Sequence, residues 1–147
     1  MEQRIVRIGE PSVTAKIFGA ADMNVKLIED AFKVTVYNRS SGVDGEDALL
    51  VSGESEDGVG AAARAISCLA RMAARSDVLG EQTVIYVINM VRDGREGELD
   101  AFDENCICLT SRGKPIKPKT IGQRQYVDAI KKNTIILGTG PAGTGKT

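Results

Sequence analysis

The amino-acid sequence predicts a mixed α/β (α+β) fold that ends in a nucleotide-binding loop. Two observations lead to this class: β-branched runs alternate with stretches patterned as amphipathic helices, and a short apolar run comes directly before a glycine-rich end. The chain has 147 residues, of which 42% are hydrophobic and 27% are charged, which is the composition of a domain that folds in water. No stretch approaches the ~20 consecutive apolar residues of a membrane span. We therefore expect a cytoplasmic protein without a membrane partner.

The first half of the chain is predicted to follow the order β-α-α-β-β-α. Three segments are β-branched or alternate in polarity, as strands do: 3–8, 33–37 and 48–53. Three others carry apolar residues at helical spacing: 13–18, 23–32 and a long alanine-rich helix that Ser55 can cap. On this long helix, Arg64, Arg71 and Arg75 lie largely off the apolar stripe. We assign these elements to one domain over residues 1–78.

The next segment, 79–105, is predicted to be a helical and charged linker. Residues 83–91 fit a helix stripe, and their β-branched content fits a strand almost as well; helix is our prediction. Residues 92–97 are charged and hold two glycines, which is typical of a connecting segment. The remainder, 106–147, is predicted to hold a hairpin, a helix, a strand and the nucleotide loop.

The hairpin is predicted from two short runs, 106–109 and 114–116, on either side of the turn 110–113. Four basic residues cluster around it: Arg112, Lys114, Lys117 and Lys119. They form either a patch that contacts nucleic acid or triphosphate, or a solvated linker; we favour the linker because no aromatic residue is interleaved for base stacking. The chain has no histidine, so we expect Cys106 and Cys108 to be small buried hydrophobic residues and not zinc ligands.

A helix over 120–132 and a strand over 134–137 are predicted to precede the nucleotide loop. Thr120 and Gln123 have the T-x-x-Q spacing of a capping box, which marks the start of the helix. Residues 134–137 are apolar and β-branched and therefore predict a buried parallel strand. A strand, a glycine loop and a Lys-Thr pair form the context that a phosphate-binding loop requires.

The loop matches the pattern G-x-x-x-x-G-K-[ST]. Its residues are Gly140, Pro141, Ala142, Gly143, Thr144, Gly145, Lys146 and Thr147. The glycines let the backbone turn tightly and bring its N–H groups to a polyphosphate. Lys146 can reach the β- and γ-phosphates, and the hydroxyl of Thr147 is placed to ligate Mg²⁺. The pattern therefore predicts a nucleotide site with magnesium; the alternative is a mobile glycine-rich tail without a ligand.

The order β-α-α-β-β-α, with a short turn between its first two helices, resembles a K-homology (KH) domain of the eukaryotic-type topology. Such domains clamp single-stranded RNA or DNA with a G-x-x-G loop at that turn. Here the loop is Gly19-Ala20-Ala21-Asp22, so an acidic residue replaces the second glycine. Its carboxylate is expected to face the phosphates that the loop holds. Two interpretations stay open: KH-type RNA binding, and a packing or partner-docking domain over residues 3–76.

Three blocks of the second half resemble the start of the ATPase core of PhoH-like proteins: residues 118–123, 126–130 and 140–147. Phe18-Gly19 and the long alanine-rich helix resemble the KH-like domain that precedes this core in the bacterial members. The resemblance covers nearly all of the chain. It implies a cytoplasmic, ATP-binding protein whose core is similar to the RecA-like core of helicases, and hence ATP hydrolysis linked to RNA.

The resemblance also implies roles for single residues. Lys146 and Thr147 match the phosphate and Mg²⁺ contacts of the family, and the backbone of residues 140–145 matches the cradle for ATP. Gln123 stands where related helicases place a glutamine that reads adenine. A glutamine amide can donate to and accept from the N6/N7 edge of adenine at once. Because Gln123 also completes the capping box with Thr120, both roles stay open.

The sequence leaves open whether this chain is an enzyme. It stops at Thr147, where the loop is expected to open a helix. The Walker B acidic residues, the residue that orients the attacking water and any arginine finger are expected beyond that point. We therefore expect a truncated form that binds ATP poorly and does not hydrolyse it. One alternative is a KH-like nucleic-acid-binding module without catalytic activity, with single-stranded RNA as its partner. A kinase of a small metabolite is disfavoured because a substantial domain precedes the loop.

Overall fold

The structure, a computed structural model, describes residues 1–40, 46–75, 78–101, 106–112, 115–118 and 120–143. The strands are β1 Glu2–Gly9, β2 Val34–Ser40, β3 Asp47–Gly53, β4 Cys108–Leu109 and β5 Pro115–Ile116. The α-helices are α1 Pro11–Phe18, α2 Met23–Phe32, α3 Glu56–Arg75, α4 Glu81–Arg92 and α5 Ile121–Lys132. Two short 3₁₀ helices cover Ala20–Asp22 and Glu96–Ala101. None of the described helices is both long and apolar enough to cross a bilayer.

The chain is thus mixed α/β, and the predicted fold class is confirmed at that level. Its first six strands and α-helices follow the order strand, helix, helix, strand, strand, helix. The ambiguous segment 83–91 lies in α4, and β4 pairs with β5 as a short hairpin. Lys33, which was assigned to a strand, instead ends α2 with a left-handed φ of 56°, so β2 begins one residue later.

The three-stranded sheet has β3 at its centre. β3 pairs antiparallel with β1 on one side and with β2 on the other. Ala48 of β3 lies opposite Arg7 of β1 and opposite Arg39 of β2. Within the described part of the chain, β1 and β2 are therefore the two edges of this sheet, and Arg7 and Arg39 occupy equivalent positions on them.

One hydrophobic core joins the sheet to α1, α2 and α3, all of which pack on it. The large side chains that are fully buried come from each of these helices and from the central strand: Ile17, Ile28, Leu49, Val51, Ile66 and Leu69. Burial of one such side chain stabilises a fold by roughly 1.5–3 kcal/mol. This cluster therefore holds the N-terminal half of the chain together.

The sequence predicts a helical and charged linker over residues 79–105, and its described part, residues 79–101, contributes to the same core. α4 packs against α2 and α3, and its Val84 and Val87 side chains are fully buried. Leu99, in the second 3₁₀ helix, is only 3% exposed. The physical reason is the apolar stripe of α4. Its side chains stabilise the fold only where another surface covers them and removes them from water. The packed N-terminal unit therefore extends to about Leu99.

Residues 134–137 do not form a strand, so the predicted buried parallel strand is wrong. Ile135 is 80% exposed and Leu137 is 87% exposed. A parallel strand depends on hydrogen bonds and packing from neighbouring strands. In the described residues, strand pairing is confined to the sheet β1-β3-β2 and the hairpin β4-β5. An apolar local pattern is therefore not sufficient to form a strand at this position.

The start of α3 lies directly against the end of α2. The N–H of Gly58 donates to the hydroxyl of Ser55 at 3.3 Å, so Ser55 caps the helix as predicted. A Cβ atom at Gly58 would lie 2.7 Å from the carbonyl oxygen of Phe32. At Gly60 the nearest atoms to an added Cβ are the ends of two arginine side chains, at 3.6 and 3.8 Å. Only Gly58 is therefore required by close approach of the backbone.

We predict that Gly58→Ala lowers the free energy of unfolding by about 1–3 kcal/mol, because the backbone carbonyl of Phe32 cannot move aside freely. Gly60→Ala is the matched control and is expected to raise the same free energy by about 1 kcal/mol, because alanine is the better helix former. Urea unfolding followed by circular dichroism measures both changes. Stabilisation by both substitutions would contradict the tight contact between α2 and α3.

Candidate functional site

The nucleotide loop is described in its first half. Residues 140–143 are exposed, and Ala142 and Gly143 form a turn. Gly143 has a φ of 79°, a left-handed conformation that glycine adopts without strain. The predicted phosphate and Mg²⁺ contacts fall outside the described residues: Thr144, Gly145, Lys146 and Thr147. Their roles therefore stay predictions.

The helix before the loop, α5, begins with the predicted capping box. The N–H of Gln123 donates to the hydroxyl of Thr120 at 3.1 Å, and the N–H of Thr120 donates to Oε1 of Gln123 at 3.3 Å. Two backbone N–H groups that lack partners within the helix are thereby satisfied. The structural role of Gln123 is confirmed, whereas its contact with adenine stays a prediction.

α5 carries apolar side chains that the described residues do not cover. None of its residues is buried. Val127 and Ala129 are half-buried, whereas Tyr126 is 52% exposed and Ile130 is 49% exposed. The exposed Ile135 and Leu137 follow directly. The capping box therefore stabilises this helix locally, with little contribution from burial.

The segment around the β4-β5 hairpin carries the predicted basic cluster and two of the three cysteines. Arg112 and Lys117 are exposed, and the other two members of the basic cluster, Lys114 and Lys119, lie outside the described residues. Cys108 is exposed, so its predicted burial is wrong. The Cys106 thiol donates to the carbonyl oxygen of Cys108 at 3.3 Å, and burial raises its pKa. A raised pKa disfavours the thiolate form that binds metals.

The turn between α1 and α2 is fixed by a buried asparagine. Asn24 is 5% exposed, and its Nδ2 donates to the carbonyl oxygens of Lys16 at 3.3 Å and Leu79 at 3.1 Å. A Cβ atom at Gly19 would lie 2.6 Å from this nitrogen, and Gly19 has a φ of 72°. Both facts require glycine at the first position of the turn.

The last residue of the same turn also has an unusual backbone conformation. Asp22 is exposed and has a φ of 59°, in the left-handed region that glycine favours and aspartate tolerates. Its carboxylate adds negative charge to the surface of the turn. Position 22 corresponds to the second glycine of a G-x-x-G loop. Its backbone has the conformation that glycine favours, but its residue is a charged aspartate.

A groove of about 800 Å³ runs between β1 and α3. Four arginines line it: Arg4, Arg7, Arg64 and Arg71. Nε of Arg64 lies 2.9 Å from Oε1 of Glu96. The available signal in the sequence was the position of Arg64 and Arg71 off the apolar stripe of α3. Their approach to β1 could not be predicted, because it depends on how the strand packs against the helix.

Comparison with known proteins connects these features to one family. A model of the family described as PhoH-like protein matches residues 115–147. A PhoH-like protein of Bacillus subtilis (strain 168) is 32% identical over 141 residues, which cover 96% of this chain and 42% of that relative. A PhoH-like protein of Mycobacterium tuberculosis (strain ATCC 25618 / H37Rv) is 36% identical over 138 residues, which cover 93% of this chain and 37% of that relative.

A shorter match, 43% identical over 54 residues, joins 37% of this chain to 16% of a PhoH-like protein of Synechocystis sp. (strain ATCC 27184 / PCC 6803 / Kazusa). No solved structure matches the chain significantly. The chain spans about two fifths of the length of the relatives from Bacillus and Mycobacterium. Because those matches include nearly all of its residues, the chain belongs to the PhoH-like family, as its sequence blocks predict.

Proposed function

We propose that residues 140–147 bind the triphosphate of ATP together with Mg²⁺, and that the chain supplies the ATP-binding loop of a cytoplasmic PhoH-like ATPase that acts on RNA. The observation that carries this proposal is the G-x-x-x-x-G-K-T spacing within the segment that matches the family, residues 115–147. This spacing brings glycine backbone, a lysine and a hydroxyl to one polyphosphate.

In this proposal each part of the loop has a separate task. The N–H groups of residues 140–145 surround the phosphates, and the positive φ of Gly143 permits the turn that this requires. Lys146 adds positive charge at the β- and γ-phosphates, and the Thr147 hydroxyl is a ligand of Mg²⁺. The exposure of residues 140–143 leaves this half of the loop accessible to a ligand from solvent.

Gln123 is proposed to exchange one partner for another when ATP binds. Its side chain accepts a hydrogen bond from the N–H of Thr120 at 3.3 Å. To contact the N6/N7 edge of adenine, the amide must leave this bond, at a cost of about 1 kcal/mol in helix stability. Adenine recognition and the capping box therefore compete for one side chain.

Hydrolysis of ATP needs more than this loop. Phosphoryl transfer depends on acidic residues that hold the metal, a group that orients the attacking water, and charge stabilisation of the transition state. We assign these groups to the part of PhoH-like proteins that this chain does not cover. The 147-residue chain is accordingly expected to bind ATP weakly and to hydrolyse none.

Weak binding of ATP is expected to be visible in ¹H–¹⁵N spectra of the 147-residue chain. Mg²⁺-ATP should shift the signals of residues 138–147 and of the Gln123 side-chain amide, with a Kd of about 1 mM or weaker, equivalent to about −4 kcal/mol or less favourable. Lys146→Ala should weaken binding at least about tenfold, or about 1.4 kcal/mol. Lys131→Ala, in the last turn of α5, is the matched control and should leave Kd unchanged. If Mg²⁺-ATP shifts the same signals equally in Lys146→Ala, the proposed site is contradicted.

A second candidate, a KH-like nucleic-acid-binding module, is favoured by residues 1–75. The order of elements and the glycine turn between α1 and α2 support it. Gly19 and Asp22 both have a positive φ, so both glycine positions of the G-x-x-G pattern have a backbone conformation that glycine favours. The carboxylate of Asp22 opposes this function, because it repels phosphates at the turn.

We predict that Asp22→Gly raises the affinity of the chain for a fluorescent twelve-nucleotide uridine RNA by about fivefold or more, or about 1 kcal/mol. The higher affinity comes from the loss of one negative charge at the turn. Relief of the left-handed backbone, which costs roughly 1 kcal/mol for residues other than glycine, instead raises the stability of the folded chain. Fluorescence anisotropy at low salt measures the affinity, since phosphate contacts weaken as salt rises.

Asp22→Asn is the matched control, because asparagine removes the charge and still tolerates the left-handed conformation. It should reproduce most of the gain in RNA affinity and little of the gain in stability. If the parent chain, Asp22→Asn and Asp22→Gly all fail to bind the RNA, residues 3–76 form a packing or partner-docking domain and the second candidate is rejected.

A further inference from the structure

The arginine-lined groove follows one edge of the sheet. Five consecutive residues of β1 line it: Arg4, Ile5, Val6, Arg7 and Ile8. Alternate residues of a strand point to opposite faces, so five in succession can line a single groove only where it runs along the strand's backbone. On this side, β1 pairs with no strand of the described residues. The outward N–H and C=O groups of β1 therefore face the groove.

The opposite wall of the groove is one side of α3. Its lining residues extend from Ala63 to Ala74, a length of about 18 Å at 1.5 Å per residue. Five residues of a strand cover a similar length, about 16 Å at 3.3 Å per residue. The helix contributes small side chains here, among them Ala63, Ser67 and Ala70. The groove thus has the length for about five residues of extended peptide.

The charge of the groove selects among such peptides. Its lining holds four arginines and one carboxylate, that of Glu96. Oε1 of Glu96 lies 2.9 Å from Nε of Arg64, but Oε2 is buried without a hydrogen-bond partner among the described residues. A buried oxygen in this state is costly. Glu96 is therefore an incompletely satisfied partner for Arg64, and a carboxylate from a ligand can replace it.

Other occupants fit the groove less well. None of the described residues that line it is aromatic, so they offer no surface on which the bases of single-stranded RNA stack. A second copy of this chain, paired through β1, would bring another set of arginines against the first. Repulsion between like charges disfavours that arrangement. An acidic, extended segment of a different protein satisfies both the backbone edge and the arginines.

We propose that β1 and the groove beside it bind an extended, acidic segment of a partner protein, which adds to the sheet as a fourth strand. Main-chain hydrogen bonds to β1 provide affinity, as in other cases of strand addition. The arginines select acidic side chains, and the small residues of α3 admit aliphatic ones. This binding surface is separate from the nucleotide loop and from the turn at Gly19, so it does not depend on either proposed function.

The test uses a fluorescein-labelled nonapeptide of alternating glutamate and valine, with a lysine and valine nonapeptide as the charge-reversed control. The 147-residue chain is expected to bind the acidic peptide with a micromolar Kd and to show no binding of the basic one. Hydrogen exchange should slow at the outward-facing amides among residues 4–8 in β1 and remain unchanged in β2. No binding of the acidic peptide, or protection at β2 instead of β1, overturns the proposal.

Two substitutions at equivalent positions sharpen the test. Arg7→Glu should weaken binding of the acidic peptide at least tenfold, whereas Arg39→Glu, across Ala48 on the opposite edge, should change it less than twofold. Glu96→Gln should strengthen binding about threefold or more, because Arg64 is then released. Circular dichroism and urea unfolding confirm that each variant is folded. Equal losses for Arg7→Glu and Arg39→Glu would show attraction by overall charge and contradict a bound strand at β1.

Two further measurements test the other possible occupants of the groove, RNA and a second copy of the chain. A twelve-nucleotide uridine RNA should not displace the acidic peptide; RNA binding that is lost in Arg7→Glu, without peptide binding, would assign the groove to nucleic acid. Light scattering should give the mass of a monomer, as expected if β1 is free of a second copy of the chain. A dimer that protects residues 4–8 in the absence of peptide would assign the edge to a second copy of the chain and overturn the proposal.

Discussion

The close approach of α3 to its neighbours is the constraint on which the rest of the structure depends. This helix contacts all three strands of the sheet as well as α1, α2 and α4. Its buried face contains many small residues, and Ala62, Ala65 and Ala73 are fully buried. Small side chains let several elements meet one helix without gaps, and at Gly58 the backbone of α2 comes into direct contact. A larger residue on this face displaces more than one neighbour.

The C-terminal part of the chain is stabilised in a different way. α5 has a complete capping box but no buried residue, and the apolar side chains at Ile135 and Leu137 are exposed. Local hydrogen bonds can define where a helix begins, but they do not provide the burial that fixes a helix against a sheet. This contrast explains why family membership and loop spacing, rather than packing, carry the proposal of ATP binding.

The sequence predicted those parts of the fold that depend on local periodicity. The strands and helices of the N-terminal unit were found because their apolar residues recur with periods near two or 3.6. The capping box at Thr120 and Gln123 was found because it needs only residues three apart. Residues 83–91 combine a helical stripe with the β-branched content of a strand, and their helix, α4, packs against α2 and α3.

Predictions failed where structure depends on distant residues. The segment 134–137 has the composition of a buried strand, yet a strand requires neighbours that no local pattern supplies. The candidate sites divide in the same way: the nucleotide loop is one contiguous motif, whereas the arginine groove combines residues from β1 and α3.

The buried amide of Asn24 links two segments that are distant in the chain. Its single amide group holds the carbonyl of Lys16, before the turn, and the carbonyl of Leu79, just before α4. The two segments cannot separate unless a buried donor loses a partner, which costs about 1–3 kcal/mol. One buried side chain thus ties the turn to the peptide that leads into α4, between residues 55 positions apart in the chain.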